Sequence, residues 1–88
     1  MAFYLDFTDE ATLDIAKHKK AGNKAILNKI LKLLEELIKH PFTGTGKPEP
    51  LKYHLTGYWS RRINKEHRLV YEVNNQTVII HSAYGHYF

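Results

Sequence analysis

The chain has 88 residues, no cysteine and a formal net charge of +4, with 43% hydrophobic and 25% charged side chains. This length and composition describe one globular domain, residues 1–88, with a modest core, and exclude a disordered chain. Disulfides and cysteine–zinc sites are excluded, the N-terminus MAFYLDFTDE has no basic leader region, and no apolar run approaches the roughly 20 residues needed to span a bilayer, so a cytoplasmic protein with no membrane partner is expected.

The elements follow in order. FYLDF, Phe3 to Phe7, alternates as a first strand. Thr8 or Asp9 caps a first helix running to about His18, and Gly22 in KHKKAGN breaks it. Asn23 is positioned to cap a second helix. Ile26, Ile30, Leu33, Leu34 and Leu37 recur at helical spacing, joined by Leu27, Leu31 and Ile38, and Pro41 stops the run. A loop rich in glycine and proline spans Pro41 to Pro50. Beyond it LKYHL, YWSRRI, HRLVYEV and TVIIHSAY read as strands joined by turns at Thr56-Gly57, Asn64-Lys65-Glu66 and Asn74-Asn75-Gln76. The predicted fold class is α+β, with two N-terminal helices packed on one face of a four- to five-stranded, mostly antiparallel sheet. Alternation puts Tyr58, Ser60 and Arg62 on one face of their strand and Trp59, Arg61 and Ile63 on the other. It also sets Arg68, Val70 and Glu72 opposite an apolar face of Leu69, Tyr71 and Val73, so Arg62 and Arg68 share a surface on adjacent strands.

The charge is concentrated. Residues 47–68 hold six basic and two acidic side chains, and the remainder balances at seven of each. Such a stretch either meets a polyanion, most often nucleic acid, or is a solvated basic face. Within it Glu49 sits between Pro48 and Pro50, on a segment both prolines stiffen. GTGKPEP is not a phosphate-binding P-loop, because Pro41 and Pro48 occupy positions that need glycine and serine or threonine. His81 and His86 lack an evident third metal ligand, and Ser60 and Ser82 lack a nucleophile elbow, so no metal or cofactor is expected.

The remaining set, one held carboxylate, several cations and a histidine near the C-terminus, suits RNA cleavage by internal transesterification. Glu49 is the candidate base for the ribose 2′-OH, and His86 the candidate acid for the departing 5′-oxygen. Lys52, Arg62 and Arg68 are candidate phosphate clamps. Neighbouring cations favour ionised Glu49 and weaken it as a base, so the scheme leans on geometry and charge stabilisation. Trp59 is expected in the core, His54 and His67 at the surface or in turns, His81 in a strand, and the lysines of the second helix on a solvated face.

GKPEPLKYHLTGYWSRRINKEHRLVY, Gly46 to Tyr71, together with the terminal His86-Tyr87, closely resembles the Txe/YoeB branch of the RelE-like toxins of bacterial toxin–antitoxin pairs. The resemblance is strong from about Pro41 to Arg68 and loose before that. It implies a microbial RNase-like fold and an enzyme that cuts mRNA in the ribosomal A site, inhibiting translation. It makes Glu49 the general base, His86 the general acid, Arg68 the phosphate-stabilising arginine and Tyr87 the C-terminal tyrosine near the base. Lys52 and Arg62 match supporting cations, and Lys47 and Arg61 join the RNA- or phosphate-binding set, although Arg61 is also open to pairing with acids. The implied partners are a Phd/YefM-type antitoxin, the ribosome with its rRNA and mRNA, a second copy of the chain, and operator DNA through the antitoxin alone. Phe88 extends past the usual His-Tyr end, the first helix lacks the aromatic pattern of the branch, and Tyr84-Gly85 replaces bulkier or basic residues. Two other readings stay open: a noncatalytic inhibitor on the same fold, like the ParE-type gyrase poisons, and an RNA- or ribosome-binding module in which nothing reacts.

Overall fold

The computed structural model describes residues 2–85. Strand β1 (Tyr4–Phe7) leads into helices α1 (Asp9–Lys20) and α2 (Lys24–Lys39), followed by β2 (Glu49–Pro50), β3 (Tyr58–Arg62), β4 (Arg68–Asn74) and β5 (Thr77–Ser82). Thr8 caps α1 as its side chain predicts, its Oγ accepting from the Ala11 amide at 3.1 Å. Asn23 stands at the start of α2 but makes no side-chain capping bond. Helix α2 ends at Lys39, two residues before Pro41.

The sheet order is β1-β5-β4-β3-β2. Strands β2 to β5 form the expected antiparallel meander. Strand β1 closes it from the far side, parallel to β5, with Tyr4 opposite Thr77 and Phe7 opposite Ile80. A parallel partner is possible because the two helices carry the chain back across one face of the sheet. One expected strand is absent. LKYHL is a single 3-10 turn at Tyr53–Leu55, and the edge strand is confined to Glu49–Pro50. Pro50 has no amide to donate, and Tyr53 adopts a positive φ of 60°, which ends an extended run.

The core lies between helices and sheet. Ala11, Ile30, Leu33 and Leu37 meet Ile63, Leu69, Tyr71, Val78, Ile80 and Ala83, with Trp59 packed against them. The α2 stripe is narrower than its leucines suggest, for Leu31 is 56% exposed. No helix among the described residues is long and apolar enough to cross a membrane.

Candidate nucleic-acid interface

The loop that delivers Glu49 is organised from beneath by Arg61. Alternation places Arg61 on the helix-facing side of β3, and there it is wholly buried. It is therefore not one of the phosphate-binding cations, a role open to it from sequence. Its Nη1 bonds Glu36 Oε1 at 3.0 Å and the Thr45 carbonyl at 3.4 Å. Its Nη2 donates to the carbonyls of His40 and Thr43, and its Nε to Tyr71 Oη at 3.2 Å. Tyr71 Oη in turn donates to the Pro41 carbonyl at 2.7 Å. One planar fork thus ties β3 to α2 and to the backbone of residues 40–45, since a guanidinium offers five donors in fixed directions. The Thr45 hydroxyl and amide, at 2.6 and 2.7 Å, and then Arg61 hold the Glu36 carboxyl below the ordinary glutamate value. Burial pushes the Tyr71 phenol up, against the pull of Arg61.

Close packing explains the glycines of GTGKPEP. A Cβ on Gly44 would overlap Glu36 Oε1, and one on Gly46, where φ is +85°, would lie 2.8 Å from the Arg62 carbonyl oxygen. The Gly46 carbonyl also accepts from the Arg62 amide at 2.7 Å, so the loop cannot back away cheaply. Gly46→Ala is expected to cost about 1–3 kcal/mol through overpacking at a fixed backbone contact, on top of the roughly 1–2 kcal/mol of a left-handed residue. Gly22→Ala, with open space around its Cβ, should cost only the roughly 1–2 kcal/mol of a left-handed residue. Urea midpoints compare the two, and equal losses would remove the packing argument.

The register assembles the outer face. Glu49 pairs with Ser60, Ser60 with Val70, and Arg62 with Arg68. Directly paired residues, and residues two apart on a strand, share a face. Glu49, Ser60, Arg62, Arg68 and Val70 therefore lie on the side opposite the helices, and the expected Arg62–Arg68 juxtaposition is present as a cross-strand pair. Arg62 and Arg68 line a cleft of about 440 Å³ with Lys29, Lys47, Asn64 and Lys65. The Arg68 guanidinium rests on the β3–β4 turn, Nη1 donating to the carbonyls of Asn64 at 2.8 Å and His67 at 3.2 Å. Lys47 enters the cleft at a positive φ of 51° immediately before Pro48, a conformation the following proline disfavours. Glu49 and Lys52 line a neighbouring cleft of about 310 Å³ with Tyr53, which is 87% exposed.

Two features escaped the sequence pattern. Lys29 belongs to the cationic cleft rather than to a remote solvated face, because α2 crosses behind the Gly46 loop. His67 lies in the β3–β4 connection, within the expected surface or turn position, but it is buried and bonded: its Nδ1 accepts from the Gly85 amide at 2.8 Å. The Gly85 carbonyl accepts from the Arg68 amide at 3.0 Å. The residue preceding His86 is thereby hooked to the backbone of Arg68. His86, Tyr87 and Phe88 themselves lie outside the described residues. His81 is in β5 as expected, bonded to Glu72 at 2.7 Å and stacked on Tyr58. No group of three or more His, Asp or Glu side chains among the described residues is placed to hold a metal ion.

Two helices behind a mixed five-stranded sheet, with a cationic cleft lined by Arg62 and Arg68 of the sheet and by Lys29 of α2, define a small α+β domain that gathers positive charge in one place. The family model for the YoeB-like toxin of bacterial type II toxin–antitoxin systems matches residues 7–87. A Toxin YoeB from Synechocystis sp. is 51% identical over 66 residues, covering 75% of this chain and 77% of that protein. A YoeB/ParE toxin from Agrobacterium tumefaciens superposes with a TM-score of 0.89 at 36% identity, over 97% of this chain and 100% of that one. A YoeB–YefM complex from Staphylococcus aureus gives a TM-score of 0.85 at 41% identity, over 99% of this chain and 100% of that one. The chain belongs to the YoeB-like toxins of bacterial type II toxin–antitoxin systems.

Proposed function

We propose that this toxin is a ribosome-dependent mRNA endoribonuclease that cuts mRNA in the ribosomal A site by 2′-OH transesterification, using protein groups as acid, base and charge stabiliser. Glu49 accepts or orients the 2′-OH proton, and Arg68, seconded by Arg62, Lys47 and Lys52, stabilises the phosphate as charge develops on its non-bridging oxygens. His86 protonates the 5′-oxygen, with Tyr87 alongside the base. The observation that carries this reading is the cross-strand pair Arg62–Arg68 in an open cleft, with Glu49 on the adjoining strand of the same face. The hook between Arg68 and Gly85 supports it by starting the tail that bears His86 beside that pair. Arginine suits the clamp because its planar fork stays charged and matches phosphate oxygens.

A YefM-type antitoxin is the proposed protein partner, as in the Staphylococcus aureus complex, and the ribosome and mRNA are the proposed targets in the cytoplasm. The Agrobacterium neighbour carries the name ParE as well as YoeB, so a noncatalytic inhibitor is the reading to be separated. The experiment is a translation reaction on one defined mRNA, with cuts mapped by primer extension, with and without ribosomes. Cuts at a fixed codon position that require ribosomes are expected. Glu49→Gln should slow them less than loss of His86 or Arg68 does, since the amide keeps an oxygen that can orient the 2′-OH. Arrested translation over intact mRNA would overturn the reading and turn attention to gyrase.

A further inference from the structure

The root of the C-terminal tail is gripped by a buried polar cluster that the proposed chemistry does not use. His18 on α1 and His67 before β4 are 1% and 8% exposed, and their rings meet edge to face at 4.6 Å. Tyr84 packs on both, at 4.9 and 4.6 Å, with Lys17 Nζ 4.8 Å from its ring centre. Asp14 Oδ2 accepts from the Ala83 amide at 3.0 Å. His18 Nε2 lies 2.9 Å from the Ala83 carbonyl oxygen, and the Gly85 amide donates to His67 Nδ1 at 2.8 Å.

These partners fix the proton positions. A carbonyl only accepts, so Nε2 of His18 carries a proton; an amide only donates, so Nδ1 of His67 carries none. The two histidines therefore respond differently to acid. Protonation leaves the His18 bond intact. At His67 it converts the acceptor that takes the Gly85 amide into a second donor, and two N–H groups then point at each other. Among the described residues the ring meets His18 from α1 and Tyr84 from the tail, with Arg68 next in the chain. Asp14 and Lys17 of α1 belong to the same cluster, Asp14 accepting from the Ala83 amide with Lys17 Nζ 3.9 Å from its other oxygen.

We propose that His67 is a positioning residue: as a neutral imidazole it latches Gly85, and so sets where the next residue, His86, is presented to the RNA, and proton uptake at Nδ1 opens the latch. This rests on the mRNA-cleavage reading for its catalytic consequence, though not for the latch itself.

The test uses the full chain, ¹⁵N-labelled, as wild type, His67→Asn and His67→Phe. Asparagine places an acceptor oxygen near the position of Nδ1 and has no proton to gain; phenylalanine keeps the ring and has no acceptor. In wild type the protection of the Gly85 amide against exchange, corrected for intrinsic rate, should fall about tenfold as the His67 ring nitrogens titrate, the scale of one hydrogen bond. His67→Asn should keep protection across the same range, and His67→Phe should lack it at every pH. In ribosome-programmed cleavage at neutral pH, His67→Phe should lose about tenfold in kcat with little change in KM, and His67→Asn should restore it.

Gly85 protection in His67→Phe equal to wild type overturns the latch, as does wild-type protection that ignores His67 titration. Lost protection with unchanged kcat overturns the positioning role. A wild-type chain that leaves mRNA intact sinks the cleavage reading and the positioning role with it, while the amide data still uphold or overturn the latch.

Discussion

Arg68→Ala is expected to lower ribosome-programmed mRNA cleavage by about 10²–10³-fold, the roughly 2.7–4 kcal/mol that one preorganised electrostatic donor supplies in a site that excludes water. His86→Gln is expected to fall by about 10²–10⁴-fold, the usual worth of a general acid. The proposed transesterification places extra negative charge on the phosphate oxygens only as the 2′-oxygen attacks. A cation held against that position therefore acts on kcat more than on KM. Arg62→Ala should cost less than Arg68→Ala, since Arg62 is exposed and lacks the carbonyl contacts that seat the Arg68 fork. Arg68→Lys should recover only part of the loss, because an ammonium keeps the charge but not the planar fork. All four variants should keep the wild-type far-ultraviolet circular dichroism. Single-turnover cleavage rates decide the matter, and an Arg68→Ala chain with wild-type kcat would take the residue out of the mechanism.

Arg61→Ala is expected to lower stability by about 3–5 kcal/mol, through the lost packing of a wholly buried side chain and the carbonyls it leaves without a donor more than through its partly exposed partner Glu36. In a domain of this size that shifts the thermal midpoint by roughly 12 °C or more. The side chain is wholly buried, and removing it takes the donor from the carbonyls of His40, Thr43 and Thr45, while Glu36 keeps its two bonds from Thr45. Glu36→Ala should cost less than Arg61→Ala, because the arginine keeps its carbonyl and tyrosine partners. The combined change Glu36→Gln with Arg61→Met should recover part of the loss, since a paired apolar replacement strands no charge.

Acid supplies an independent check on the same pair. Thr45 and Arg61 hold Glu36 below its ordinary value of about 4.3 in the folded chain. Its contribution is therefore complete above that value and is lost as pH falls through the lower, folded value. Urea midpoints between pH 7 and pH 3 should fall more steeply in wild type than in Glu36→Gln, and parallel curves would contradict the assignment. Any loss of toxicity in Arg61→Ala should track this unfolding and not a phosphate contact.

Local patterns and resemblance were enough for the family and for most of the elements, though not for LKYHL, which is a 3-10 turn and not a strand. Thr8 marks a helix start through its side-chain hydroxyl, and Pro41 a helix end through its ring and missing amide. The apolar spacing of Ile30, Leu33 and Leu37 names the buried side of α2, and the short Asn64–Glu66 turn brings Arg62 opposite Arg68, because period-two alternation and a tight turn leave little choice of register. The proposed roles of Glu49, Arg68 and His86 came from chemistry and resemblance together, and that of Tyr87 from resemblance alone. Tertiary structure decided what those patterns do not encode. Alternation put Arg61 on the inner face, but only its distance from Glu36, 25 residues earlier, shows that it is a buried clamp and not an RNA ligand. The parallel seat of β1 beside β5, the burial of His67 against His18 and Tyr84, and the arrival of Lys29 at the cationic cleft are likewise pairings between distant stretches. A periodic pattern tells which way a side chain points. What it meets there depends on elements whose approach is set by packing of the whole core, and no local spacing records that.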